Sequence, residues 1–389
     1  MTPMRFASIG VGARSYLASL VTEYGGRVTV AADVSARGRE RAREQFPGAR
    51  VFASHESIDA DDVDAAFVLT PDHTHADIAV DLLERGIAVY LEKPMATSVE
   101  DCDRILEAAF RSRTPLYVGH NMRHMPVVRL MREIIKRGEI GEVQAVWCRH
   151  FVGHGGDFYF HDWHAERSKG VSLLLQKGVH DLDVIHWLSG AAARDVSAMG
   201  DLMLYGRIPH RRDNSDRLIG LADPSHWPPL SQVDLNPVVD VEDVSMVNLR
   251  LHNGVLGSYM QCHFTPDYWR NYTVIGTEGR LENFGDTAGG VVRVWNRRSD
   301  YSPDGDTTYP VSDGEGSHGG ADLAIIGEFV RFLAEGQTTD TSPVEARDAV
   351  AAAVAATESL RHGSAPQHTT PLAEHLRSYF AAIQGLGRS

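Results

Sequence analysis

Cysteine is scarce in this sequence: Cys102, Cys148 and Cys262 are the three copies in 389 residues. They are far apart and odd in number, so they offer neither metal spacing nor a disulfide framework, and a reducing cytoplasm is expected. Positive charge is also short. Lys and Arg number 38 against 52 acidic residues, a formal net charge of -14. An acidic surface repels phosphate backbones, so nucleic acid is not an expected partner. Long apolar runs are missing too: none approaches the roughly 20 residues of a membrane span. The opening "MTPMRFASIG" lacks a charged stretch followed by a long apolar one, which argues against a signal peptide. What is present is ordinary for a soluble protein, 43% hydrophobic and 23% charged, with length enough for two domains.

The first third alternates short apolar runs with helical patterns. "MRFASIG", "RVTVAADV", "VDAAFVLTP", "IAVYLEKP" and "PLYVGHNMR" read as strands. Between them, 14–24, 35–46, 75–86 and 98–113 read as helices. Such alternation implies parallel pairing in a doubly wound sheet, and near-continuous apolar strands fit burial on both faces. After Met122 the texture changes. A helix over 127–138 precedes "EVQAVWCRHFV", "VSMVNLRLHNG", "VLGSYMQCHFT" and "RNYTVIGTEGRLENF", which alternate like strands with one covered face. The expected fold class is α/β: a Rossmann domain over 1–122, then an α+β domain over 123–389 with a large open, mostly antiparallel sheet. Helices are expected at 321–335 and 343–362, the latter packing back on the first domain. Residues 206–240 read as a long insertion without periodicity.

The first turn is "IGVGARS", spanning Gly10, Val11, Gly12, Ala13 and Arg14, with Ser15 where a third glycine often sits. Glycines at a strand-to-helix turn let backbone approach a pyrophosphate; a tight structural turn is the plainer reading. Asp33 ends the second strand, where a carboxylate would accept from the adenosine ribose or cap the next helix. A carboxylate there favours NAD, while Arg37 one turn on would suit the 2′-phosphate of NADP.

Three further stretches are more specific: "TPDHTHADIAVDLLERGIAVYLEKPMATS", "VGHNMRHMP" and "GVHDLDVIHWLSG". With "GVGARS" they resemble the glucose-fructose oxidoreductase / inositol dehydrogenase / rhizopine-catabolism (Gfo/Idh/MocA) family. The likeness continues through "VEDVSMVNLRLHNGVLGS", "VIGTEGRLE" and "HGGADLAIIGEF". It implies a nicotinamide-dependent sugar or cyclitol dehydrogenase that assembles as a homodimer or homotetramer. It also implies a cis Lys93–Pro94 bond. Lys93, at the end of a parallel strand, would then donate to the reacting hydroxyl and stabilise an alkoxide; a surface lysine is the alternative. Glu92, Thr70, Pro71 and His75 fall on the cofactor side, and Asn121 and Arg123 border nicotinamide or substrate.

In "LLLQKGVHDLDVIHWLSG", helical spacing places Gln176, His180, Asp183 and Trp187 on one stripe. His180 is the natural proton acceptor, and Asp183 would orient it or hold a substrate hydroxyl. Inositol dehydrogenase-like relatives carry aspartate where this chain has Gln176, which cannot ionise, so the base role rests on His180. Lys177 would add a second cation or face solvent. Trp163 and Arg167 lie where related enzymes contact cofactor or substrate, and His318 would reach the substrate pocket or sit in its loop. "FTPDYWR" offers Tyr268, Trp269 and Arg270 for sugar stacking or for sheet packing. His161 and His164 are spaced like metal ligands, but no third ligand is evident and no metal is expected. The leading expectation is an NAD(P)-dependent dehydrogenase. The rivals are a glycosidase or epimerase that retains NAD, and a non-catalytic NAD sensor.

Overall fold

The computed structural model describes residues 3–214, 223–312 and 317–384. The expected insertion over 206–240 therefore lies partly outside the described residues. Two compact units are present. The first holds the residues up to Asn121, Asp322–Arg347 and the segment from Pro371; the second holds Met122–Ala321 and Asp348–Thr370. The helix Pro343–Arg361 thus contributes residues to both units.

The first unit is built on six parallel strands: β1 (Arg5–Ile9), β2 (Arg27–Ala32), β3 (Arg50–Phe52), β4 (Ala65–Val68), β5 (Ala88–Leu91) and β6 (Leu116–Val118). Their order is β3-β2-β1-β4-β5-β6, with every pairing parallel. β4 and β5 are buried at every position, the signature of a strand covered on both faces. Ser35 caps the helix Ala36–Gln45 by accepting from the Gly38 N–H, and Ser98 caps Val99–Ser112 through the Asp101 N–H. The helix expected over 14–24 is instead one α-turn, Tyr16–Ser19, and a 3-10 stretch, Leu20–Tyr24. Gly25, at φ 74, closes it in the left-handed region. Phe6, Phe67, Tyr90, Tyr117 and Phe329 form a ring cluster with centroids 4.9 to 5.6 Å apart for Phe67–Tyr90, Tyr90–Tyr117 and Phe67–Phe329. Such rings dominate core energetics.

The second unit holds nine strands: β7 (Val143–Phe151), β8 (Ala193–Asp201), β9 (Val244–Leu251), β10 (Leu256–Cys262), β11 (Trp269–Gly276), β12 (Arg280–Phe284), β13 (Val291–Trp295), β14 (Thr307–Pro310) and β15 (Gln367–His368). The order is β14-β13-β12-β11-β7-β10-β9-β8-β15. Only β7–β10 pair in parallel; the other neighbours are antiparallel. In β9, Ser245, Val247, Leu249 and Leu251 are buried while Met246, Asn248 and Arg250 are exposed, as one covered face requires. The helix Val179–Ser189 lies on the covered face.

Candidate functional site

In the first unit the glycine turn leaves the C-terminal end of β1. Gly10 has φ +84, and a Cβ there would come within 2.8 Å of the Leu69 carbonyl oxygen, so only glycine fits on both counts. At Gly12 a Cβ would meet nothing within 4 Å; the space beside this backbone is open. Open room beside a glycine at a strand end is what a diphosphate needs, and the residues present fit a dinucleotide. Asp33 does not cap the following helix; that is the work of Ser35. One Asp33 oxygen accepts the Val11 N–H at 2.8 Å, and the other accepts the Ser35 N–H and hydroxyl at 2.8 and 2.7 Å. A Cβ at Gly38 would lie 2.0 Å from the Asp33 carboxyl carbon, so Gly38 makes room for that side chain. Arg37 and Ala13 are exposed.

Arg14 enters a buried polar cluster. It lies 3.4 Å from Glu92 and 3.3 Å from Asp322. Burial works against its charge, but Glu92 and Asp322 outweigh it and raise the guanidinium pKa. Asp322 also accepts from the Tyr16 hydroxyl and, at 2.6 Å, from the Asn121 amide. Asp322 was not singled out in the sequence, although "HGGAD" contains it. Its signal was position: an acid in the first turn of the helix Ala321–Glu335.

Lys93 is half-buried just beyond β5, and its bond to Pro94 is cis. His75 was expected beside the cofactor. It is fully buried, with Nδ1 2.8 Å from the Pro94 carbonyl and Nε2 2.9 Å from the Thr70 carbonyl. It props the loop after β4 against the loop after β5. Thr70 and Pro71 are half-buried in the former, where the Thr74 hydroxyl donates to the Thr70 hydroxyl and the Pro71 carbonyl, both at 2.7 Å.

In the second unit, Asp183 has a buried partner that its spacing did not suggest. Its carboxylate takes both arms of Arg123, at 2.8 and 2.5 Å, and each side chain is 1% exposed. Arg123 is correspondingly committed and also lies over the Trp187 ring, 5.7 Å from its centroid. Gln176 sits in a π-helical turn, Leu174–Gly178, ahead of the α-helix Val179–Ser189. The wide turn adds a residue, so the α-spacing assumed between Gln176 and His180 does not hold. Gln176 is 2% exposed and its amide is 3.5 Å from the His164 carbonyl; His180 is 6% exposed.

Asp181, one residue past His180, was overlooked. It accepts from the Tyr259 hydroxyl (3.0 Å), from the Tyr272 hydroxyl and from His150 Nδ1 (2.8 Å), and lies 3.0 Å from Arg270. Burial would raise its pKa, but Arg270 and His150 reverse that and hold it low. Arg270 is thereby a sheet residue rather than a sugar contact. Burial and Arg270 in turn hold His150 down to about 3, against the pull of Asp181.

Arg167, expected at the substrate, pairs with Glu242 at 2.9 Å, an acid shared with Arg361 at 2.8 Å. Trp163 stacks on His164, centroids 3.9 Å apart. Lys177 is half-buried, and His318 is exposed at φ 53. His161 meets Asp157 and His226 rather than His164. No described helix is long and apolar enough to cross a membrane.

A family model described as "Oxidoreductase family, NAD-binding Rossmann fold" matches residues 4–120, and one described as "GFO/IDH/MocA C-terminal domain" matches residues 128–282. The putative oxidoreductase YteT of Bacillus subtilis is 27% identical over 303 residues, 68% of this chain and 71% of that protein. Inositol 2-dehydrogenase 3 of Saccharopolyspora erythraea is 27% identical over 311 residues, 77% of this chain and 83% of that protein. Other relatives are spanned to about half their length: the match covers 58% of the rhizopine catabolism protein MocA of Rhizobium meliloti and 54% of an inositol 2-dehydrogenase of Gluconacetobacter diazotrophicus. Among solved structures, levoglucosan dehydrogenase in complex with NADH and levoglucosan has the same fold, with TM-score 0.77, 20% identity, and coverage of 95% of this chain and 100% of that one.

Proposed function

This chain belongs to the Gfo/Idh/MocA oxidoreductase family with an NAD-binding Rossmann domain, and we propose that it transfers a hydride between NAD and a ring hydroxyl carbon of a sugar, sugar derivative or cyclitol. The observation that carries the cofactor choice is Asp33. Its carboxylate is fixed by the Val11 N–H and by Ser35, which holds a negative group at the end of β2. A fixed carboxylate accepts from ribose hydroxyls and repels a 2′-phosphate, which favours NAD over NADP. When bound, NAD supplies the carbon that accepts the hydride. His180 takes the proton from the substrate hydroxyl. Lys93 steadies the oxygen as it gains charge. Arg123 and Asp183 neutralise each other and serve to position their helix, and Gln176 contributes hydrogen bonding without a charge.

A panel of inositols, hexoses, glycosides and sugar acids, followed at the NADH absorbance, tests the reading. Lys93→Met and His180→Asn should each lower kcat by at least about a hundredfold with folding intact, the scale of a lost acid–base group. Near-normal turnover in either variant removes that residue from the mechanism. The Gln176 replacement supports a second reading, transient sugar oxidation with NAD retained. Release of an aglycone without NADH accumulation would select it.

A further inference from the structure

Three side chains that the proposed reaction does not use converge in the second unit. One ligand atom from each of Asp157, His161 and His226 lies within 4.8 Å of the other two. They come from two separate stretches. Asp157 lies on the helix Gly155–Tyr159 with His161 just past its end, and His226 closes the 3-10 turn Pro224–His226. His226 Nδ1 is in direct contact with Asp157 Oδ1, and the His161 and His226 rings stack with centroids 5.9 Å apart. Asp157 and His161 are buried, and His226 is half-buried.

His161 carries the argument. Its Nδ1 lies 3.1 Å from the Asp234 carbonyl, which has no proton to give, so Nδ1 holds the hydrogen. In a neutral ring Nε2 is then a lone pair. It lies 3.2 Å from Gln232 Oε1, a second acceptor, and Gln232 is 4% exposed. Two buried acceptors at that distance repel unless something positive lies between them. A tetrahedral zinc with ligands at about 2.0–2.1 Å separates neighbouring ligand atoms by about 3.3 Å. An imidazole whose far N–H is held by a backbone carbonyl is also how ligating histidines are commonly fixed. Two imidazoles, a carboxylate and an amide oxygen form a mixed N/O set that suits zinc rather than the all-oxygen shells of magnesium or calcium.

We propose that Asp157, His161 and His226, with Gln232 as fourth ligand, bind a structural Zn²⁺ that clips the 223–234 stretch to the helix Gly155–Tyr159. Four protein ligands close the coordination sphere, so the role is to hold chain rather than to activate water. Asn214 already pins this corner, donating at 2.8 Å to both the His161 and the Asp234 carbonyls.

The test uses untagged full-length protein, stripped with dipicolinate, dialysed and titrated with ZnCl₂ by calorimetry and with CoCl₂ by absorption. Expected are one ion per chain, the intense visible bands of tetrahedral Co²⁺, and a higher Tm with Zn²⁺ present. His226→Ala and Asp157→Asn should each weaken Zn²⁺ binding by at least about a hundredfold with an unchanged far-UV spectrum, since the first removes an inner ligand and the second removes the negative charge of one. Gln232→Glu, which supplies a charged oxygen, should keep or tighten it, and does so even if one of the other variants folds poorly. Less than a tenth of an equivalent bound, or wild-type affinity in both His226→Ala and Asp157→Asn, overturns the site and leaves Gln232 turned to donate to His161 without metal. These readouts are independent of dehydrogenase turnover.

Discussion

Acidifying the protein from pH 7.5 to 5 should destabilise the second unit through two buried histidines. His150 and His263 are both fully buried. Around His150, Nδ1 donates to Asp181 at 2.8 Å while Nε2 faces the Arg270 guanidinium at 3.3 Å, with Tyr268 edge-on to the ring. This geometry fixes the neutral form, since a proton on Nε2 would confront the guanidinium. Burial first, then Arg270, hold its pKa down to about 3 despite Asp181. Burial first, then Lys177, hold His263 down to about 3 as well. In the unfolded chain each returns to about 6.5. The unfolded state therefore takes up protons first. Stability is fully present above about pH 6.5 and falls as pH drops toward 3. At pH 5 each histidine costs RT ln(1 + 10^1.5), about 2 kcal/mol, so the pair costs about 4 kcal/mol of a total stability on the order of 5–15 kcal/mol. Urea midpoints followed by near-UV circular dichroism at the two pH values measure the loss. His263→Asn, which keeps a donor for the Asp243 carbonyl but cannot titrate, should recover about half of it. The reasoning fails if the wild-type midpoint is flat between pH 7.5 and 5, or if the variant loses as much as the wild type.

Gly10→Ala forces a Cβ to within 2.8 Å of the Leu69 carbonyl at φ +84, and NADH binding followed by nicotinamide fluorescence should fall by at least about tenfold; unchanged affinity would mean the turn is not the diphosphate cradle. Asp33→Ala releases the Val11 N–H and Ser35, and should raise KM for NAD more than it lowers kcat; an unchanged KM would refute the ribose assignment. Asp183→Ala removes the carboxylate that faces the buried Arg123 guanidinium and should cost about 3–5 kcal/mol in denaturant unfolding, and a change under about 1 kcal/mol would show that this ion pair contributes little to stability.

The strands of the first unit were legible because burial on both faces leaves an apolar run that needs no partner to be recognised: "AAFV" and "AVYL" are buried at every residue. β3 is three residues long and partly exposed, and carries no such pattern. β8, "ARDVSAMGD", mixes charge and glycine into its length and becomes a strand through its pairing with β9 along almost its whole extent. Periodicity also failed at one residue within the helical segment. A π-turn shifts the face presented by everything before it, and a count of threes and fours cannot register that. The Arg123–Asp183 pair joins residues 60 apart, and the Asp157–His226 contact joins residues 69 apart. Both partners were visible as residue types, but their pairing is a property of the fold.

Asp181 and Asp183 explain what the segment around His180 can tolerate. A buried carboxylate without a cation is costly, and here each has one: Arg270 for Asp181 and Arg123 for Asp183. The two guanidiniums reach the helix Val179–Ser189 from β11 and from the stretch after β6, so the helix is gripped on two sides and His180 rides on a fixed frame. A third carboxylate at position 176, where Gln176 is 2% exposed, would bring another buried charge to this segment. Glutamine avoids that cost while keeping both a donor and an acceptor. The amide is therefore consistent with the charge balance of this helix, and under the proposed mechanism it leaves the base role to His180.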